Sequence, residues 1–466
     1  MALDELHYLT LLEAGRKISG GEVSSLELTE TMLARIEKLN ASLHPYVTVL
    51  GETSRAEAAA ADAELARGEV RGPMHGVPIA VKDLMAISGV RTSAGMPLLK
   101  ERKPDHDATV VTRLRAAGTV ILGKLELTEG AYAGHHPDIT DPVNPWNAEY
   151  WPGVSSSGSG VATAAGLCFG SLGSDTGGSI RFPSLACGLV GLKPTWGRVS
   201  RYGVFPLSET LDHIGPMTRS VGDAAAMLGA LAGFDAQDPT SLTADVPDYL
   251  SVLADGVRGI KIGVDEQFNS DGVDAVVSDA LKTAINVLRG EGAQILSIKI
   301  PPHDDVVDSW LPICSADAAV AHSKTYPSRA AEYGPVMGGL LETGVALSGA
   351  EYARATIHRQ NFSGQLAKLF DEIDLIAAPS MVVPTPRLDG MDELSAAPGG
   401  LERLIRFTSP FDHSGSPTIS LPCGFTQAGT PLGFQLVGRH LDEELLLRAG
   451  HAFERATVWN ARHPEV

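Results

Sequence analysis

Cysteine is scarce: Cys168, Cys187, Cys314 and Cys423 are the four in 466 residues, far apart and with no CxxC pair. Neither a zinc ribbon nor a disulfide framework can be built on that spacing, so they read as reduced core thiols. Positive charge is also short. A formal net charge of −19 gives no general grip on phosphate backbones, which depends on Lys and Arg displacing counterions, so nucleic acid is not an expected partner. The N-terminal "MALDELHYLTLLEAG" has acids where a signal peptide has a basic region, and no small-residue cleavage site follows an apolar core. A cytoplasmic protein is expected. The longest uncharged stretch, residues 150–174, is filled with Ser and Gly and opens on Trp151-Pro152; it is a poor membrane helix, and no membrane partner is expected.

Several chemistries lack their motifs. No Lys follows the glycines of 153–160 or 173–178 in a GxxxxGK[ST] loop, and GxGxxG is missing, which argues against nucleotide binding. No HExxH occurs, and the adjacent His135 and His136 would point in different directions on either a helix or a strand, so no metal site is expected. The GxSxG elbow of Ser-His-Asp hydrolases is approached at "GGSIR", but position 181 is Arg. A serine nucleophile here needs another activation scheme.

What is present is an ordinary soluble composition, 44% hydrophobic and 20% charged, with Gly 50 and Pro 29 asking for many tight turns. Leu9, Leu11, Leu12 and Ile18 form one helical stripe and Leu26, Leu28, Met32, Ile36 and Leu39 a second, with Ser24 or Ser25 as its cap and an alanine-rich helix over 52–66. From there short apolar runs alternate with helical patterns. The runs at 76–83, 119–124, 169–174, 189–194, 260–264, 293–300, 375–380 and 431–438 predict strands, and the alternation predicts an α/β fold with a mixed, mostly parallel sheet covered by helices on both faces. Residues 303–370 predict a helical middle section. No repeat or low-complexity linker divides the chain.

Lys82 ends the apolar run "GVPIAVKD", where a buried lysine calls for a reason: a base held neutral by burial, an ion pair with Asp83, or a stem that snorkels to the surface. "SDTGGS" (174–179) is either a plain glycine turn capped by Ser179 or a turn whose backbone N–H groups converge on one point. Asp175 and Arg181 flank it and read as a buried ion pair.

Together, "GVPIAVKD", "PGVSSSGSGVATAAG", "GSDTGGSIRFPSLACGLVGLKPTWGRVS", "SGSPTISLPCG" and "PLGFQLVG" resemble the amidase signature family of serine hydrolases, over nearly the whole chain and in the family's motif order. The resemblance implies one domain over 1–466: N-terminal helices (1–70), a catalytic core (71–235) and a helical, variable substrate-pocket region (303–410). It implies a Ser-Ser-Lys triad in which Ser179 attacks the carbonyl, Ser155 relays the proton after a cis peptide bond, and Lys82 is the base. The 24-residue separation of Ser155 and Ser179 is the family's. Backbone N–H groups of Thr176, Gly177, Gly178 and Ser179 would form an oxyanion hole. No metal or cofactor is implied; the partner is a small-molecule amide, and a homodimer is the family-level expectation for assembly.

Val154 and Ser157 stand where the family usually has glycines, and "YAGHHPD" replaces the Gly-Ser-Ser turn of glutaminase members. Tyr132, Ala133, His135 and Trp151 are therefore expected at the substrate pocket. A glutaminase subunit would hold glutamine with an arginine and a carboxylate: Arg359 matches the first, but the acidic position falls at Ile405. The bulky Trp151, Tyr132 and Phe182 suit an apolar or aromatic amide instead. A catalytically silent subunit is the remaining rival, and it would be favoured if Lys82, Ser155 or Ser179 were replaced; all three are present.

Overall fold

The computed structural model describes residues 3–466. Its centre is an 11-stranded sheet: β1 (Tyr46–Val49), β2 (Pro78–Lys82), β3 (Val120–Leu125), β4 (Gly170–Asp175), β5 (Val190–Lys193), β6 (His213–Thr218), β7 (Lys261–Val264), β8 (Gln294–Ser297), β9 (Leu375–Pro379), β10 (Thr418–Phe425) and β11 (Pro431–Gly438). The spatial order is β1-β3-β2-β4-β6-β5-β10-β11-β9-β7-β8. Every residue of β2, β3, β4, β5 and β6 is buried. That is why β2 to β5 read as continuous apolar or small-residue runs rather than as alternating strands.

The mixed α/β sheet is as expected, but the balance of directions is corrected. β3, β2 and β4 run parallel, as do β9, β7 and β8; β4-β6-β5-β10-β11-β9 and β1-β3 pair antiparallel. The antiparallel middle arises from β6 and β10, which pattern reading did not mark as strands. β6 carries Pro216 opposite Leu172, and β10 carries Pro422 at a break in register. A proline removes a ladder donor and breaks the pattern without ending the strand.

The three N-terminal helices form at Leu11–Ser19, Ser25–Leu43 and Gly51–Ala66. Ser24, not Ser25, caps the second, in a reciprocal capping box with Glu27. The 303–410 region is helical apart from β9, which returns to the sheet, and its longest helices are Trp310–Ala321, Pro335–Ala346 and Gly349–Leu369. Among the described residues no helix is long and apolar enough to cross a membrane, and all four cysteines are free and buried.

The parallel pairing of β2 with β4 sets the position of the site. Ala80 lies opposite Ser171 and Val81 opposite Leu172, so Lys82 and Asp175 emerge at the same edge of the sheet. In α/β sheets the crevice beyond the carboxyl ends of parallel strands is where ligands bind.

Candidate active site

Lys82, the last residue of β2, is completely buried. Its Nζ lies 2.7 Å from Ser155 Oγ, 2.9 Å from Ser156 Oγ and 2.8 Å from Ser174 Oγ. Asp83 does not pair with it: that carboxylate lies 2.8 Å from Lys124 Nζ and accepts from the Ser93 amide and hydroxyl. The ion-pair and snorkelling explanations of Lys82 are thus both replaced by a cage of three hydroxyls. Burial drives the Lys82 amine down to about 7, against the opposing pull of the Asp212 and Asp175 carboxylates.

Ser155 and Ser156 reach the amine from the segment before the helix Ser157–Ala164. The Val154–Ser155 peptide bond is cis. Gly158 lies so close to β3's end that an added Cβ would sit 2.6 Å from the Glu126 nitrogen, which explains the small-residue composition of this helix. The Ser156 hydroxyl donates to the Ser174 carbonyl at 3.2 Å and the Ser156 amide to the Ser179 carbonyl at 3.3 Å. These bonds stitch the "GVSSSGSG" and "SDTGGS" segments together.

The turn after β4 is shaped by Asp175. Its Oδ1 accepts from the Gly178 amide at 2.6 Å and from Arg181 Nη2 at 2.9 Å; its Oδ2 accepts from the Ile180 amide and from Arg181 Nε, both at 3.0 Å. Burial works to raise this carboxyl, but the Arg181 guanidinium overrides it and holds Asp175 well below the usual range. Arg181 is shared with Asp412, 2.6 Å away, and also donates to the Thr408 carbonyl. The expected ion pair is therefore a buried carboxylate-guanidinium-carboxylate bridge to the C-terminal part of the chain.

The Gly178 amide, expected among the oxyanion donors, donates to Asp175, with φ at +133° and the Phe182 ring packed on its Cα side. Thr176 and Gly177 are buried and Ser179 is half-buried. Thr176 donates from its hydroxyl to Asp212 at 2.6 Å. Burial raises Asp212 to about 6, with the Thr176 bond opposing.

The expected pocket residues separate. Tyr132 is half-buried and its ring lies nearly parallel to that of Trp310, 6.3 Å between centroids. Trp151 is buried against Phe182, and Ala133 is exposed. His135 is turned inward: Nε2 is 3.1 Å from Ser157 Oγ and Nδ1 3.3 Å from Asp141. Arg359 donates Nε to the His413 carbonyl and Nη2 to that of Thr210, and no hydrogen bond or ion pair joins it to Lys82, Ser155 or Ser179 among the described residues. Sequence reasoning missed Ser174 and Trp310. Ser174 opens the "SDTGGS" motif; nothing local marked Trp310.

The family model described as Amidase matches residues 27–447. The Mycobacterium tuberculosis protein named "Putative amidase AmiD" is 46% identical over 99% of this chain and 97% of its own length. The chain belongs to the amidase signature family. It is an amidohydrolase. A glutamyl-tRNA(Gln) amidotransferase subunit of Roseiflexus sp. is 38% identical over 99% of both chains. The crystal structure of a bacterial aryl acylamidase of the same family superposes with a TM-score of 0.88 at 25% identity, covering 98% of this chain and 97% of that one. In this amidase two of the departures from the common family pattern, Ser157 and the "GHH" turn, meet in one hydrogen bond.

Proposed function

We propose that the enzyme cleaves small amides with an aryl or apolar acyl group through an acyl-enzyme on Ser179, with Ser155 as proton relay and Lys82 as base. The observation that carries this reading is the Lys82 amine: fully buried, 2.7 Å from Ser155 Oγ, with no carboxylate among the described residues hydrogen-bonded to it, and brought down to about 7. A neutral amine has two protons and one lone pair. Ser156 spends its own proton on the Ser174 carbonyl and so takes one from Lys82. Ser174 takes the second proton, which leaves Ser155 to donate to the lone pair. Its oxygen can then draw the proton of Ser179 as that hydroxyl attacks the carbonyl.

The tetrahedral oxyanion is held by the amides of Thr176, Gly177 and Ser179, each donor being worth about 3 kcal/mol in comparable sites. The proton returns along the same path to the departing amine, and water repeats the sequence to release the acid. The substrate class rests on Trp151, Phe182 and Tyr132 around the turn, and on the aryl acylamidase likeness. Glutamine is disfavoured, because Ile405 is a buried hydrocarbon and Arg359 is held by two backbone carbonyls. The free, buried thiols suit a reducing compartment, and the cytoplasm is the location that fits this function.

A serine-reactive fluorophosphonate tests the assignment. It labels Ser179 in the folded protein and fails with Ser179→Ala, which keeps its fold and loses turnover. Turnover surviving in Ser179→Ala would sink the reading, as would cleavage of glutamine in preference to every anilide.

A further inference from the structure

Trp310 opens a helix 131 residues beyond Ser179 in the chain, yet it is in direct contact with the turn. Its indole Nε1 donates to the Thr176 carbonyl at 2.8 Å. A Cβ on Gly177 would lie 2.8 Å from the indole ring, so glycine there is what lets the ring press against the backbone. The ring is buried, and the Tyr132 ring lies nearly parallel to it at 14°. Phe182 occupies the corresponding place against Gly178. The Gly177–Gly178 segment of the turn thus has an aromatic side chain against each glycine, one of them tethered by a hydrogen bond.

We propose that Trp310 is both a positioning residue and a specificity-determining residue: its N–H fixes the Thr176–Gly177 peptide, and its ring with Tyr132 forms a planar wall that favours an aromatic acyl group. The inference rests on the reading of Ser179 as nucleophile. Two physical links carry it. Rotation of the Thr176–Gly177 peptide would turn the Gly177 amide away from the oxyanion, and the bond to Nε1 holds the carbonyl of that same peptide. The leaving amine must face Ser155, from which it receives its proton, so the group nearer Thr176 and Gly177 is the acyl part. Flat aromatic faces accept other planar groups by offset stacking.

The test compares wild type, Trp310→Phe, Trp310→Leu and Tyr132→Leu on the 4-nitroanilides of benzoic and butyric acids, with the rate of fluorophosphonate labelling at Ser179 measured in parallel. Trp310→Phe keeps a ring and loses the N–H: kcat falls at least about tenfold on both anilides, labelling slows by a similar factor, and KM changes less than about twofold. Trp310→Leu also loses the planar wall, so KM rises for the benzoyl substrate at least about fivefold more than for the butyryl one. Tyr132→Leu, which leaves the Thr176 tether intact, raises KM for the benzoyl substrate alone and serves if Trp310 variants do not fold. Trp310→Phe with wild-type kcat and labelling overturns the positioning role. Equal KM effects on both anilides in Trp310→Leu or Tyr132→Leu overturn the specificity role. Absence of Ser179 labelling in the wild type would instead overturn the nucleophile assignment, and this inference with it.

Discussion

The acidic limb of the pH-rate profile is set by the amine that must be neutral to accept a proton. With Lys82 at about 7, the neutral fraction is about one tenth at pH 6, about half at pH 7 and about nine tenths at pH 8. kcat/KM on a substrate that does not itself titrate therefore rises about tenfold between pH 6 and 8 and then levels off. Asp212→Asn supplies the perturbation. The Asp212 carboxylate favours the charged amine, so its removal moves the midpoint to lower pH. Asn keeps an oxygen for the Thr176 hydroxyl and the Ser208 amide, which share Asp212 Oδ1, and gives up only the bond that Oδ2 accepts from the Leu207 amide.

Lys193 is likewise brought down to about 7 by burial, but the charges acting on it are those of Asp412, Arg181, Asp175 and Glu443, so Asp212→Asn tells the two lysines apart. Stopped-assay kcat/KM from pH 5.5 to 9 on wild type and variant decides the matter. A profile flat between pH 6 and 8, or a midpoint that Asp212→Asn leaves in place or moves upward, refutes the reasoning. The same burial couples to folding. The unfolded amine keeps its proton up to about 10.5, so between about 7 and 10.5 unfolding takes up a proton and stability grows with pH. Below about 7 both states are charged, and the full penalty on the folded state, on the order of 5 kcal/mol, is present.

Two further outcomes concern the turn. Arg181→Leu leaves Asp175 and Asp412 buried without their shared counter-charge and costs about 3–5 kcal/mol in urea unfolding, whereas a loss below about 1 kcal/mol would mean the bridge is not stabilising the turn. Gly178→Ala puts a Cβ 2.3 Å from the Phe182 ring at a φ of +133°. Activity then drops at least about tenfold and stability by about 1–3 kcal/mol, and near-wild-type kcat would show that the Gly178–Asp175 bond is dispensable.

The legible part of the site was its chain-local part. Ser179 follows two glycines that let the turn close on Asp175, and Lys82 ends a buried strand; both facts lie within a few residues of themselves. Less was legible where partners come from afar. Asp83 stands next to Lys82 in sequence, yet successive residues on a strand face opposite ways, so it meets Lys124 on the neighbouring strand. His135 and Ser157 each looked like a separate departure from a family pattern, and only the packing of the 130–136 loop on the helix start makes them one contact. Pro216 and Pro422 hid β6 and β10, and with them the antiparallel middle of the sheet.

By itself the sequence determined the α/β framework, because the burial pattern is written residue by residue, and its contiguous motifs carried the family resemblance from which the reaction class and the proposed triad positions follow. The tertiary structure alone decided which hydroxyls surround the Lys82 amine, that the Gly178 amide turns inward, and that Trp310 closes on the turn from the helical region. Each of these depends on strand order and helix placement, which bring together segments dozens to hundreds of residues apart, and no local pattern encodes that distance.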